Sequence, residues 1–360
     1  MTTAIDGEHA PRLLYLPNEK GSTKQLGERT TFAELEREGE IRELGVYSFL
    51  ADYLKDRDSH RAHRELLDVV TAFKPDILYW QHPVRYPLDI SLIREVRRRA
   101  GNPLIVYDEG DPFDSFYKRV WESEISLYRE CDVFFTTALG AQRRLFENLR
   151  LHPHFYHCPS FFIAERAGPP PVPELVGSKL DAVMIGSISH RLKVLKHPGS
   201  AERIALARAL TRSFGNGFAT FGNGWPAGTN CNGLLNYLQQ TPTIQSARMS
   251  VIWENFPQHT FYFSDRLPIS MASGIPHITS RRPGYDILLA DAPGLFLADT
   301  VQEAVDIATY LRSQPIQRIV ELGLAARKWV FAHFESDIVV RRAFRTCVDV
   351  WRKRLQTGAL

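Results

Sequence analysis

Three carboxylates, Asp108, Glu109 and Asp111, stand within four residues of one another, directly after the apolar run 104–107. Like charges crowded in this way raise one another's pKa, and a carboxyl so raised can take the proton of an attacking hydroxyl. The same residues could instead make a solvated acidic turn, cap a helix after Pro112, or offer an Asp-x-Asp pair to a metal. His82 follows Tyr79, Trp80 and Gln81 at the end of another apolar run and is the second candidate for proton transfer. A different chemistry is suggested further along. Gly186, Ser187, His190 and Arg191 follow one apolar run, Gly222, Asn223, Gly224 and Trp225 follow another, and Arg281, Arg282, Pro283 and Gly284 follow a third. Glycine-exposed amides and guanidinium groups suit phosphate, and Trp225 adds a face on which a ring could stack. Arg266 opens a helix expected over 266–272, where a cation opposes the macrodipole, so an anionic partner is the simpler explanation of its place. Asn18, Glu19, Lys20 and Gly21 complete the set, after the first apolar run of the chain.

The elements that must hold these residues are short runs of four to six apolar residues, spaced by segments of helical periodicity. The runs at 12–17, 76–81, 103–108, 132–137 and 155–159 are apolar on both faces, as strands of a helix-covered parallel sheet require. Helical spacing falls at 63–73, 90–99 and 115–130. Residues 165–180 contain four prolines and read as a linker, after which the alternation restarts at 181–186, 200–213, 218–222, 249–253, 275–280 and 294–298. Residues 300–354 read as three helices. The fold class is therefore α/β, with two Rossmann-like doubly wound domains facing across a cleft. In such sheets ligands sit beyond the carboxyl ends of the strands, which is where every candidate above lies.

Composition sets the outer bounds. The 360 residues are 44% hydrophobic and 24% charged, enough for two buried cores and too apolar for a disordered chain. No apolar run reaches the roughly 18 residues of a membrane span, and residues 1–12 lack a secretory apolar segment, which predicts a cytoplasmic protein. Cys131, Cys158, Cys231 and Cys347 have neither disulfide nor zinc spacing. The 44 Lys and Arg against 41 Asp and Glu demand no polyanionic partner, although acids concentrate at 28–43 and arginines at 341–354.

The stretch Asp265-Arg266-Leu267-Pro268-Ile269-Ser270-Met271-Ala272-Ser273-Gly274-Ile275-Pro276, with Thr279 and Pro283-Gly284-Tyr285 after it, resembles the donor-domain signature of group-1, GT-B type glycosyltransferases, most closely the spore-maturation CgeB-like branch. The resemblance covers residues 180–335 by motif and 12–160 by layout. It implies an acceptor-side domain over 1–164, a linker over 165–180, a nucleotide-sugar domain over 181–335 and a basic helix over 336–360 packing back on the first domain. The activity implied is hexosyl or pentosyl transfer from a UDP- or GDP-linked sugar, with retention of configuration and without a metal or other cofactor. Arg191 and Arg266 would hold the donor diphosphate, Pro283, Gly284 and Tyr285 would border it, and His82 would touch the sugar. One departure stands out: Phe261 and Ile269 occupy the positions of the family's two glutamates, so Glu254 or Asp286 would have to hold the ribose. The acceptor is open. Transfer to modified DNA bases would use the arginine-rich tail and Arg97, Arg98 and Arg99, whereas a non-catalytic nucleotide-binding protein would tolerate Phe261 and Ile269.

Overall fold

The computed structural model describes residues 10–21, 24–148, 154–188, 190, 191 and 195–357. The first sheet contains β1 (Arg12–Leu16), β2 (Glu43–Val46), β3 (Ile77–Gln81), β4 (Leu104–Glu109), β5 (Val133–Thr136) and β6 (His154–His157). Its order is β2-β1-β3-β4-β5-β6, parallel throughout. The second contains β7 (Leu180–Ile185), β8 (Phe218–Phe221), β9 (Ala247–Ile252), β10 (His277–Ser280) and β11 (Leu295–Ala298), in the parallel order β8-β7-β9-β10-β11. Both orders reverse direction next to the first strand, which opens a crevice at the carboxyl ends. No helix among the described residues is long and apolar enough to cross a membrane.

Two elements depart from the expected pattern. β2 is an edge strand with only four residues, Glu43 exposed at its start and Gly45 against the Phe73 ring, so it carries almost no apolar signal. The helix expected over 115–130 forms only at Glu122–Glu130, because the Asp114 carboxylate accepts the backbone N–H groups of Phe116, Tyr117 and Lys118 and folds that stretch into a loop.

The last helix, Ser336–Gln356, lies on the first sheet's side of the molecule against the helix Leu26–Arg37. Phe344, Cys347 and Trp351 join Leu13, Tyr15, Phe32 and Leu35 in one core. Around it the acidic stretch meets the basic tail: Arg341 donates to Glu38 and Asp337, and Arg345 pairs with Glu40 at 3.1 Å. The two halves are also tied near the cleft. Leu139–Gly140 and His259–Thr260 form a small antiparallel ribbon, His259 Nε2 donates to the Phe113 carbonyl at 2.7 Å, and Ser160 Oγ donates to the Phe263 carbonyl at 2.9 Å.

Candidate active site

Because side chains alternate along a strand, β4 sends its two terminal carboxylates to opposite faces of the sheet. Asp108 turns toward the face covered by the C-terminal helix and accepts the Tyr79 hydroxyl at 2.9 Å. Burial, augmented by Glu109, raises its pKa to about 7. Glu28 is fully buried near it and is likewise raised to about 7, mainly by burial. The sequence expectation of one carboxylate cluster is thus corrected. Asp108 is bonded to Tyr79 and is coupled through charge to buried Glu28, which accepts from Gln81 Nε2 at 2.5 Å.

Glu109 faces the other way, fully buried, and receives three hydrogen bonds. His82 Nδ1–H donates at 2.6 Å, the Asp111 amide at 2.8 Å, and the Tyr107 hydroxyl closes the set. This fixes the histidine ring and its tautomer and leaves Nε2 without a proton, 3.6 Å from Asp111 Oδ2. Burial alone would lower the His82 pKa, but the charge and hydrogen bond of Glu109 outweigh it and hold the ring above the ordinary histidine value. Burial would raise Asp111, yet Lys118 at 2.6 Å and His82 keep it low. A pair in which a buried carboxylate orients an imidazole with one nitrogen open is the arrangement of a general base. The ligand atoms of His82, Glu109 and Asp111 lie within 4.8 Å of one another and are the residues that could hold a divalent ion; that use would require Lys118 to give up Asp111.

In front of His82 opens a cleft of about 550 Å³. Lys20 from the first loop lines it. Glu19, by contrast, is not part of it: the side chain is buried and takes hydrogen bonds from Arg29, Ser48 and the Gln25 amide. Burial opposes ionisation there, but these donors bring its pKa down to about 2, so Glu19 knots the loop and is unavailable to a ligand. Asn18 acts in the same frame, its amide donating to Gln81, and Gly21 turns the loop at φ +66°. Residues the sequence reading passed over also line the cleft. Arg57 caps the end of the helix Phe49–Asp56, Arg85 lies in the loop after β3, and Lys118, Trp121 and Glu124 come from the loop after β4 and the first turn of its helix, so no motif marks them.

Across from this wall, the strand ends of the second sheet interlock. Gly222 and Gly224 are glycines because the loops after β7 and β8 touch backbone to backbone. A Cβ on Gly222 would lie 2.4 Å from the Gly186 carbonyl, and one on Gly224 2.4 Å from that of Ile188. The Gly186 and Gly222 amides already donate, to Phe221 and Gly233, and Trp225 Nε1 donates to the Gly186 carbonyl at 2.8 Å. Ser187 Oγ accepts from the Asn223 amide. The expected phosphate cradle of Gly186 and Gly222 amides is therefore corrected: these groups hold the two loops together, and Trp225, half-buried, is anchored to them by its indole N–H. His190 and Arg191 sit in a short ribbon paired with Leu195–Lys196, and their side chains lie outside the described residues.

Arg266 remains free to serve. It opens the helix Arg266–Ala272, its side chain is 40% exposed, and its carboxylate contact among the described residues, with Asp265, is 3.8 Å long. Its Nε lies close to the backbone of Gly186. The helix ends as expected, with Gly274 at φ +80°. Two further cations back it. Arg203 is buried and donates to the carbonyls of Trp253 and Ser187, and Arg282 donates to the carbonyl of Glu254; burial lowers Arg203 to about 10 and lowers Arg282 as well. The Glu254 carboxylate is buried and accepts both the amide and the hydroxyl of Ser264, so it is engaged with the protein, whereas Asp286 is exposed. Tyr285 is corrected to a core residue, fully buried with its hydroxyl on the Tyr262 carbonyl. Pro283 accepts the Phe261 amide, and Gly284 makes room for the Phe261 ring.

Comparison with known proteins agrees with this layout. Residues 196–344 match the family model described as glycosyl transferase-like. No curated protein matches the sequence. Among solved structures, Anabaena Alr3699/HepE in complex with UDP and glucose superposes with a TM-score of 0.61 at 11% identity, covering 93% of this chain and 99% of that one. A glycosyltransferase from Rickettsia africae gives 0.59 at 10% identity over 95% and 99%. The α,α-trehalose 6-phosphate synthase of Burkholderia multivorans gives 0.56 at 10% over 97% and 99%. With its two parallel sheets, its facing strand ends and its returning last helix, the chain has the GT-B fold of these glycosyltransferases.

Proposed function

We propose that this protein is a glycosyltransferase that moves a sugar from a nucleoside-diphosphate donor to an acceptor hydroxyl presented to His82. The observation that carries the reading is the His82–Glu109 pair, a buried carboxylate orienting an imidazole whose free nitrogen opens on a 550 Å³ cleft. The match of residues 196–344 to a glycosyl transferase-like family supports it, as does the fold shared with a protein crystallised with UDP and glucose. In the step envisaged, the acceptor O–H gives its proton to His82 Nε2 as its oxygen bonds to the anomeric carbon. The bond from that carbon to the diphosphate oxygen breaks, and Arg266 meets the charge that develops on the leaving group. Asp111, 3.6 Å from Nε2, stabilises the imidazolium.

A side-chain base is what direct displacement with inversion requires. Retention, implied by the resemblance to group-1 enzymes, needs none, because the leaving diphosphate oxygen can take the proton. The CgeB-like branch remains part of this reading on the strength of residues 265–276, and a metal-independent reaction at a cytoplasmic address is proposed with it. The DNA-directed alternative is the less favoured reading: Arg98 and Arg99 pair with Glu95, Arg97 with Asp132, and Arg341 and Arg345 with the acidic helix end, which reduces the charge these arginines offer a phosphate backbone. The test is to incubate the protein with UDP-glucose and a panel of acceptors and to follow UDP release and product anomer by NMR. An inverted product lost in His82→Gln supports the base. No nucleotide release or transfer with any UDP- or GDP-sugar would favour a non-catalytic binding protein.

A further inference from the structure

We propose that the cleft in front of His82 is built to hold a small acceptor carrying a phosphate monoester. Its size, about 550 Å³, suits a phosphorylated sugar. Four cations line it: Lys20, Arg57, Arg85 and Lys118. Lys118 is committed to Asp111, whereas among the described residues no carboxylate pairs with Lys20, Arg57 or Arg85. Three unpaired cations around one concave surface match a dianion, and two of them are guanidinium groups, whose forked donors fit phosphate oxygens.

Backbone conformation supports the same conclusion independently. Arg57, Val84 and Arg85 all adopt left-handed φ, of 59°, 34° and 58°, and all three line this cleft. For a β-branched residue such as Val84 that conformation is an outlier, and strain of this kind persists where surrounding structure holds it for a purpose. Here it turns two consecutive residues so that the Arg85 guanidinium lies 4.5 Å over the exposed Trp121 ring, a fork fixed in place before any ligand arrives. Glu124 completes the picture. It is fully buried at the wall of the cleft, one carboxylate oxygen accepts from Ser123, and among the described residues the other has no hydrogen-bond partner, an unmet acceptor just behind the cleft surface.

The proposal rests on the transferase reading only in calling the ligand an acceptor, so it is tested by binding, with no nucleotide present. Titration calorimetry on the full chain with glucose 6-phosphate, glucuronate and glucose is expected to show the phosphate ester at least tenfold tighter than either of the others. Arg57→Asn and Arg85→Asn, which tolerate the left-handed backbone and so keep the fold, should each weaken glucose 6-phosphate at least tenfold with an unchanged or higher Tm. Equal binding of glucose and glucose 6-phosphate would overturn the proposal, as would equal binding of glucuronate, or wild-type affinity in both variants. Tight binding of glucose 6-phosphate by a protein that transfers no sugar would support this site while removing the transferase reading.

Discussion

The ring of Phe261 occupies the space a side chain at position 284 would need: a Cβ on Gly284 would lie 2.3 Å from two of its carbon atoms. Both residues have left-handed backbones, at φ +64° and +86°, and Pro283 accepts the Phe261 amide at 2.8 Å. Phe261 also faces His157 of β6, with ring centroids 5.5 Å apart, so this turn helps seat one half of the molecule on the other. Gly284→Ala should therefore cost about 2 to 4 kcal/mol in denaturant unfolding, from overpacking and the disfavoured φ together. Adding Phe261→Ala should recover part of that loss. Additive losses in the double variant would show that the two positions are not in contact.

His82→Gln should lower kcat by about 10² to 10⁴-fold while nucleotide affinity changes little, measured by steady-state UDP release and by calorimetry. In the wild type, kcat should rise with pH through a value above 6.5, because Glu109 holds the His82 pKa above that ordinary value and only the neutral ring can accept a proton. Stability moves the other way. The protonated ring's pairing with Glu109 contributes fully below about pH 6.5 and is lost as pH rises through the raised folded value. A flat kcat profile across this range would remove His82 from the chemistry.

Asp108→Asn should leave turnover within about threefold of wild type, since Asp108 is bonded to Tyr79 on the far face of β4 from His82. Its folded pKa of about 7, against an ordinary 3.8, means the native state holds a proton that the unfolded chain releases. Stability should thus fall as pH rises from about 4 to 7, and Asp108→Asn should flatten that slope, read from Tm against pH. A large loss of kcat in a folded Asp108→Asn would return this carboxylate to the active site.

Arg266→Ala should weaken UDP binding by about 1.5 to 3 kcal/mol, the range for a hydrogen bond to a charged group, and Arg266→Lys should regain only part. Its half-exposed pairing with Asp265 predicts a stability change below about 1 kcal/mol. Unchanged UDP affinity in calorimetry, with circular dichroism intact, would assign Arg266 to the surface pair alone.

The sheets were legible because their strands are apolar on both faces, as Leu104–Tyr107 and Ala182–Met184 illustrate. The edge strand Glu43–Val46 escaped because one of its sides meets solvent. The site was legible in part. Glu109 ends a strand and His82 directly follows one, which sequence position reveals; that Asp108 turns away depends on which face β4 presents to which helix. The glycines of the second domain misled for a physical reason: close approach of backbone to backbone and of backbone to phosphate demand the same residue. Arg57, Arg85 and Glu124 converge only in the folded chain, and nothing in their spacing marks them. The charge clusters at 28–43 and 341–354 stand far apart in the sequence and meet in the fold, where Arg341 pairs with Glu38 and Arg345 with Glu40.

The return of the last helix to the first sheet has a consequence for biosynthesis. One face of β7 to β11, under the helix Val301–Ser313, completes its core with residues up to Leu322. The first sheet waits longer, since the face bearing Leu13, Tyr15 and Phe32 is covered by Phe344, Cys347 and Trp351. On the ribosome, the sheet translated first is therefore the one covered last, and a chain halted after Phe334 would leave the face bearing Leu13, Tyr15 and Phe32 bare to chaperones and proteases.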